Sequence, residues 1–188
     1  MESLARRLGG ILTSYARLAW WGLCSPRLGV RRPLWVHQGV VLGERGILLG
    51  VRFDLRGWEL PGGAALDGES GEDAVRREIL EETGLRVAVE RRVGDYVRSG
   101  FRPHTARVYA CRPVSGELRR SSETLAVGWF DSDRLPDTLF PWYRAPVADA
   151  LAGHTEPVVR HEHQGAAAVL SGMRIDLRMR FTRDPVGR

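Results

Sequence analysis

The run from Gly63 to Leu85 constrains the fold of this chain more than any other segment. Ser70 is a good helix N-cap, and Asp73 three residues later supplies the acidic partner of a capping-box-like start. Residues 74–83 contain neither proline nor glycine, and Gly84 then stands where a left-handed C-cap is favoured. The segment therefore predicts a loop followed by one well-bounded helix.

The predicted helix carries three glutamates close together. Glu78 and Glu82 lie about 40° apart around such a helix, and Glu81 lies about 60° to the other side of Glu78. Val75 and Ile79 form an adjacent apolar strip that can pack against a sheet. A solvated acidic face is one interpretation, because an exposed like-charge pair costs only about 0.2–0.5 kcal/mol. Partial burial would favour the other interpretation, a site for a divalent cation.

The spacing of the charged residues and glycines matches a known motif at every specified position. Gly63 is followed by five residues and Glu69, and after seven more residues by the block REILEETGL, which begins at Arg77. This is the pattern of the Nudix box, so the chain resembles a Nudix hydrolase. The preceding WELPGG segment, residues 58–63, is similar to the strand-to-loop entry that comes before the box in this family.

The resemblance implies a metal site and gives roles to individual residues. The metal ligands it implies are the Gly63 carbonyl, Glu69, Glu78, Glu81 and Glu82. Mg²⁺ is the expected ion and Mn²⁺ the alternative, since both prefer hard oxygen ligands. Catalytic roles are implied for Arg77, Glu81 and Glu82, with Arg77 orienting the acidic network. A purely structural salt bridge between Arg77 and Glu81 is an equal alternative.

Further site residues are expected outside the box. In relatives, an acidic residue in the loop that holds Glu123 completes the metal site or acts as a base, so a catalytic role is implied for Glu123. A solvated loop glutamate is the alternative. Arg52 and Arg98 are expected to bind anionic groups of the substrate from strand positions. His104 is a third candidate for substrate binding, with an ordinary surface histidine as its alternative.

The pattern from residue 34 onward predicts strands around the box helix. The expected strands are Trp35–Leu42, Ile47–Arg52, Arg86–Val93, Tyr96–Ser99, Arg107–Cys111 and Ala126–Phe130, with a second helix at Leu139–Ala152. These elements predict an α/β fold with a mixed sheet between helical layers. The resemblance covers residues 34–152 and implies the α/β/α sandwich of a Nudix domain.

The two ends of the chain lie outside that domain. Residues 1–33 are predicted to form an amphipathic helix over 2–23 and a basic linker. The helix is too polar to span a membrane, and packing on the domain or on a partner is expected, with peripheral membrane contact as the alternative.

The C-terminal extension, residues 153–188, contains a strict alternation of apolar and charged residues over Met173–Phe181. With Ala166–Leu170 before it, this pattern predicts a β-hairpin. An isolated hairpin is marginal in water, so we expect it to dock on the sheet or on a second subunit. A homodimer formed through this tail or the N-terminal helix follows as a prediction.

The charge and the cysteine content limit the ligands, the covalent links and the location that we expect for this protein. All 28 basic residues are arginine, and the net charge is +5. This balance favours a phosphorylated small molecule, and RNA or an anionic lipid surface are secondary alternatives. The two cysteines, Cys24 and Cys111, indicate neither a disulfide framework nor a zinc site. A cytoplasmic location is expected.

The function that the resemblance implies is Mg²⁺-dependent cleavage of a diphosphate linkage. The expected substrate is a nucleoside diphosphate derivative or a nucleoside triphosphate, and the substrate identity stays open. Two alternatives remain at this point. One is an RNA 5′-end pyrophosphohydrolase, and the other is a Nudix-fold module that binds its ligand without turnover.

Overall fold

The computed structural model describes Thr13, Tyr15, Ala16 and residues 34–181. Over residues 34–181 the strands are β1 (Trp35–Gly43), β2 (Gly46–Arg52), β3 (Trp58–Glu59), β4 (Gly62–Gly63), β5 (Leu85–Gly100), β6 (His104–Gly116), β7 (Thr124–Phe130) and β8 (Val158–Gln164). The helices of the same range are α1 (Gly71–Thr83), α2 (Arg144–Ala152) and α3 (Ala166–Phe181). A 3₁₀ turn at Pro141–Tyr143 precedes α2.

In this part of the chain the strands form a mixed sheet. Its order is β3-β2-β1-β6-β5-β8, with β4 paired to β1 and β7 paired to β2. The β1–β6 and β5–β8 pairs are parallel, whereas β1–β2 and β5–β6 are antiparallel. The hairpin predicted at residues 43–46 is present. The two strands predicted within residues 86–99 are parts of the single long β5, whose pairing with β6 is interrupted by register shifts.

Helices cover both faces of the sheet. On one face α1 buries Val75 and Ile79 against Val41 and Leu48. On the other face the side chains of α2 and α3 join a larger core that includes Trp58, Tyr96, Phe140, Val147 and Met179. Burial of each large apolar side chain contributes about 1.5–3 kcal/mol. The predicted α/β/α sandwich with a central mixed sheet is therefore confirmed.

The ends of α1 are fixed by the residues that the sequence indicated. Ser70 Oγ accepts a hydrogen bond from the Asp73 backbone N–H at 3.1 Å. At the other end Gly84 has φ 79°, and its N–H donates to the Leu80 carbonyl. A side chain at residue 84 would be strained in this left-handed conformation, which explains the glycine. Both ends of the helix are thus set by local chemistry.

The helix predicted at Leu139–Ala152 is present with a later start. Leu139 forms an isolated bridge to Trp58, the 3₁₀ turn begins at Pro141, and α2 begins at Arg144. Pro146 lies in the first turn of α2, where its missing N–H costs no hydrogen bond. The positions of Pro141 and Pro146 are therefore compatible with a 3₁₀ turn followed by α2.

The β-hairpin predicted within residues 166–181 is wrong, because these residues form α3. Gly172, Asp176 and Met179 are buried at helical spacing, so the core selects a period near 3.6 residues. Phe181, which the alternation placed with the buried side chains, is 64% exposed. The strand at this end is instead β8, which the sequence analysis did not predict. Five of the seven β8 side chains are polar and four are exposed, without the alternation that would have revealed the strand.

The amphipathic helix predicted over residues 2–23 falls outside the described residues, apart from Thr13, Tyr15 and Ala16, which are helical. The Tyr15 hydroxyl donates a hydrogen bond to Asp176 of α3 at 2.8 Å. Among the helices of the described residues, none combines the length and hydrophobicity needed to cross a membrane.

Candidate active site

An acidic cleft lies beside the C-terminal half of α1. It encloses about 180 Å³ and is lined by Glu78, Glu81, Glu82, Ser121, Ser122 and Glu123. The three α1 glutamates face the same space because they are three and four residues apart on one helix. The loop before β7 adds Glu123 from the opposite side. Four carboxylates predicted from the sequence are thus brought together.

The glycine pair of β4 allows the backbone to approach these carboxylates. The Gly62 N–H donates a hydrogen bond to Glu82 Oε2 at 3.0 Å. At Gly63, an added Cβ atom would lie only 2.4 Å from Glu78 Oε1. No larger residue fits at residue 63 unless Glu78 moves. Both glutamates are therefore seated directly against the backbone of β4.

Arg77 connects the acidic residues of the box. Its Nε and Nη2 atoms each donate to Glu69 at 2.9 Å, while Nη1 donates to Glu78 at 2.9 Å and to Glu81 at 3.3 Å. Nη2 also donates to the Ala64 carbonyl at 3.1 Å. Hydrogen bonds from Arg77 and from the Leu66 amide lower the pKa of Glu69 to about 2. Glu69 therefore acts as an ionised anchor for Arg77.

Glu82 is a partly buried carboxylate whose surroundings disfavour its charge. Burial raises the pKa of Glu82 to about 7, although the Gly62 N–H and the Arg52 charge act in the opposite direction. The negative charges of Glu78 and Glu123 add to the increase. A carboxylate that is costly to ionise beside two other acids is one that a bound cation would stabilise.

Glu59 is a second partly buried carboxylate near the cleft, and the sequence analysis did not identify it. Burial raises the pKa of Glu59 to about 8, against the nearby positive charge of Arg52. The Tyr143 hydroxyl donates to Glu59 Oε2 at 3.2 Å, and Gln38 Nε2 donates to the Tyr143 hydroxyl at 3.3 Å. The sequence signal that could have identified Glu59 is its position between Trp58 and Leu60 in the WELPGG segment, where an acidic residue interrupts apolar ones.

Arg52 lies close to the acidic residues, at the end of β2. Its Nε atom donates to Asp54 Oδ1 at 3.0 Å and lies 3.7 Å from Glu59 Oε1. The side chain of Arg52 is 42% exposed, so it can contact a ligand as well as its protein partners. Its charge also acts on Glu82. The structure therefore places Arg52 beside the cleft, as a substrate-binding role requires.

Arg98 and His104 lie together but apart from the cleft lining. Arg98 is 3% exposed, and its nitrogens contact Glu162 at 3.1 Å, the Trp142 carbonyl at 2.8 Å and His104 Nε2 at 3.3 Å. Burial lowers the pKa of His104 to about 4, which keeps its ring neutral near pH 7. Arg98 also stacks over the Tyr143 ring at 5.6 Å. Tyr143 therefore links this pair towards the cleft, because its ring contacts Arg98 and its hydroxyl bonds Glu59.

The donor chemistry of the cleft fits a hard divalent cation. Carboxylate oxygens and the backbone at Gly63 are ligands that Mg²⁺ and Mn²⁺ accept. In the described part of the chain, however, no group of three acidic, histidine or cysteine side chains converges closely enough to hold one ion. Glu78 and Glu81 are hydrogen-bonded to Arg77 through one oxygen each.

Comparison with known proteins agrees with the fold. The family model of the NUDIX domain matches residues 35–151. A MutT-like protein of Streptomyces ambofaciens is 40% identical over 135 residues, which are 71% of this chain and 86% of the relative. A putative 8-oxo-dGTP diphosphatase of Bacillus subtilis is 33% identical over 132 residues, 70% of this chain and 89% of the relative.

A solved structure also resembles this one. The ADP-ribose pyrophosphatase from Streptococcus suis superimposes with a TM-score of 0.56 at 28% identity, covering 70% of this chain and all of that chain. The chain therefore belongs to the NUDIX family. It is a hydrolase of the class that acts on phosphoanhydride bonds.

Proposed function

We propose that this protein is a Mg²⁺-dependent pyrophosphohydrolase that cleaves the diphosphate linkage of a nucleoside diphosphate derivative or a nucleoside triphosphate. The observation that carries the proposal is the cleft beside α1, where Glu78, Glu81, Glu82 and Glu123 face one another. Four carboxylates around about 180 Å³ suit a site that holds a cation and a phosphate chain. Mn²⁺ is the alternative ion.

The residues proposed to hold the ion are the Gly63 carbonyl, Glu78 and Glu82, with Glu81 and Glu69 nearby. When bound, the cation would polarise the phosphate and activate a water molecule. Glu82 supplies a partly buried carboxylate whose pKa burial raises to about 7 in the absence of a cation, so a bound ion would favour its ionised form. Arg77 keeps Glu69, Glu78 and Glu81 in register with each other.

Proton transfer is proposed for a more accessible carboxylate of the same cleft. The side chain of Glu81 is 60% exposed, and Glu123 is also exposed while lining the cleft. Either residue is accessible to a water molecule in the cleft and can accept its proton as the water attacks, which leaves a neutral carboxylic acid. Glu81 contacts Arg77 at 3.3 Å, so its orientation also depends on the box network.

A nucleotide is the proposed substrate class. Two of the three proteins named above are a putative 8-oxo-dGTP diphosphatase and an ADP-ribose pyrophosphatase, and the substrates in these names share a nucleoside joined to phosphates. Arg52, partly exposed beside the cleft, is proposed to bind the phosphate chain. The net charge of +5 would favour encounter with such anions. Arg98 and His104 are proposed to act on the substrate only through Tyr143.

The experiment is a panel of nucleotides that includes 8-oxo-dGTP, ADP-ribose and a 5′-triphosphorylated RNA. Release of phosphate and pyrophosphate is measured with Mg²⁺ and with a chelator. We expect turnover of a small nucleotide with Mg²⁺ only, and Glu82→Gln should lower kcat by about 10² or more. Glu44→Gln, at an exposed glutamate of the β1–β2 turn, is the matched control and should keep full activity. Equal hydrolysis with chelator, or full activity of Glu82→Gln, contradicts the proposal.

Assembly and location are also proposals. We propose a homodimer, and light scattering at micromolar concentration measures it, with a monomer as the contradicting result. Cys111 is buried with a free thiol, and burial raises its pKa to about 12. An unreactive thiol of this kind fits the proposed cytoplasmic location.

A further inference from the structure

Asp176 of α3 is a fully buried carboxylate. Its Oδ2 atom accepts hydrogen bonds from the Tyr15 hydroxyl at 2.8 Å and from Arg180 Nε at 2.7 Å. Its Oδ1 atom accepts the backbone N–H of Arg56 at 2.7 Å. A buried carboxyl group requires such partners, so the positions of these donors are closely linked to that of Asp176.

The bond from Arg56 attaches α3 to the β2–β3 loop, residues 53–57. A second bond joins the same elements, because Arg180 Nη2 donates to the Asp54 carbonyl at 3.1 Å. Gly57 adds a third contact, since a Cβ there would lie 2.8 Å from Ile175 of α3. The β2–β3 loop is therefore held against α3 at three places.

The other side of the β2–β3 loop faces the acidic cleft. Asp54 Oδ1 accepts the hydrogen bond from Arg52 Nε at 3.0 Å and another from the Leu55 N–H at 2.9 Å. The Phe53 N–H donates to the carbonyl of Glu123 at 3.1 Å. The loop thus contacts α3 on one side and both Arg52 and Glu123 on the other.

We propose that Asp176 is a positioning residue for the hydrolytic site. It holds the β2–β3 loop so that Arg52 and the backbone of Glu123 stay in place around the cleft. Asp176 lies outside residues 35–151, the part of the chain that the family model matches. The C-terminal helix therefore serves as a support for the active site of this chain. The kinetic consequence rests on the proposed function, whereas the structural link does not.

A double-mutant cycle in the full-length protein tests the kinetic consequence. Asp176→Asn is expected to lower kcat/KM by about tenfold, and by less than about twofold when Arg52 is already glutamine, because both changes act through the same loop. Arg174→Gln, at an exposed residue of α3, is the control and should have no effect. Fully additive losses would mean that Asp176 is only structural and would overturn the proposal. If Asp176→Asn does not fold, Arg180→Gln replaces it in the same cycle.

Amide hydrogen exchange tests the link independently of activity. Asp176→Asn, or Arg180→Gln in its place, should speed exchange at the Phe53 amide by at least about tenfold. The amide of Val40 in the core should be unaffected, and Arg174→Gln should change neither. Unchanged protection at Phe53 overturns the proposal. If no nucleotide is hydrolysed, the proposed function fails while this measurement still decides the role of Asp176.

Discussion

Replacing Gly63 by alanine tests whether activity depends on the close contact between the Glu78 carboxylate and the backbone of β4. A Cβ at residue 63 would lie 2.4 Å from Glu78 Oε1 and 2.5 Å from its carboxyl carbon. Restoring contacts of ordinary length requires the carboxylate to move by about 1 Å. A misplacement of that size at a reacting centre costs about 10²-fold in rate, which corresponds to about 2.7 kcal/mol of transition-state stabilisation.

The same substitution should leave the protein folded. The clash involves the end of a flexible side chain, so the free energy of unfolding should change by less than about 1 kcal/mol. We expect kcat for nucleotide hydrolysis with Mg²⁺ to fall by about 10²-fold while Tm stays near the wild-type value. Gly50→Ala is the matched control, because its Cβ would lie 3.7 Å from Thr124, an ordinary contact. A Gly63→Ala protein with wild-type kcat would refute the reasoning.

Two further predictions concern the charges of the site. Arg77→Lys keeps the charge but loses the planar fork that bonds Glu69 twice, so kcat/KM should fall by at least about tenfold, whereas Arg76→Lys at an exposed arginine of α1 should not change it. Equal kinetics of the two variants would contradict the positioning role of Arg77. Without divalent cations, the contribution of Glu82 to stability should be lost as pH rises from about 4.5 through about 7, since its pKa is raised in the folded state. The lowered pKa of His104 acts in the opposite sense over the same range, so the contribution of Glu82 is measured as the difference in thermal unfolding between wild type and Glu82→Gln at each pH. Wild type should lose stability relative to Glu82→Gln as pH rises, and a constant difference would contradict the burial assigned to Glu82.

The helix of the box could be predicted because its signals are local. Ser70 and Gly84 determine where α1 begins and ends through contacts within a few residues. The same holds for the hairpin at residues 43–46. The spacing of Glu78, Glu81 and Glu82 was likewise sufficient to place all three on one side of the cleft. Helix geometry alone converts such spacing into proximity.

The C-terminal helix could not be predicted in the same way. Its alternating residues fit a strand locally, and only packing against the core selects the helix. Gly172 shows this dependence, since a Cβ there would lie 3.2 Å from Trp142, a residue of the 3₁₀ turn. Tertiary contacts of this kind override a short periodic pattern.

The buried or partly buried acidic residues that the sequence analysis missed also depend on partners, and these partners are far away in the sequence. Glu59 is stabilised by Tyr143, which is 84 positions away, and Asp176 accepts from Arg56 across 120 positions. Neither glutamate nor aspartate is expected to be buried without such partners. The sequence therefore showed which residues carry acidic chemistry near the box, but it could not show which other acids the fold would bury.

Backbone hydrogen bonds hold the acidic cleft together from three parts of the chain. The Gly62 N–H binds Glu82, the Phe53 N–H binds the Glu123 carbonyl, and the Arg119 N–H binds the Thr83 carbonyl at 2.9 Å. Bonds made by backbone atoms do not depend on the identity of the side chains that supply them. At positions of the β2–β3 loop and of the loop before β7 whose side chains make no contacts of their own, substitutions should therefore leave these bonds intact. On the proposed function, an arrangement of this kind would separate the residues that cleave the phosphoanhydride bond from those that select its substrate.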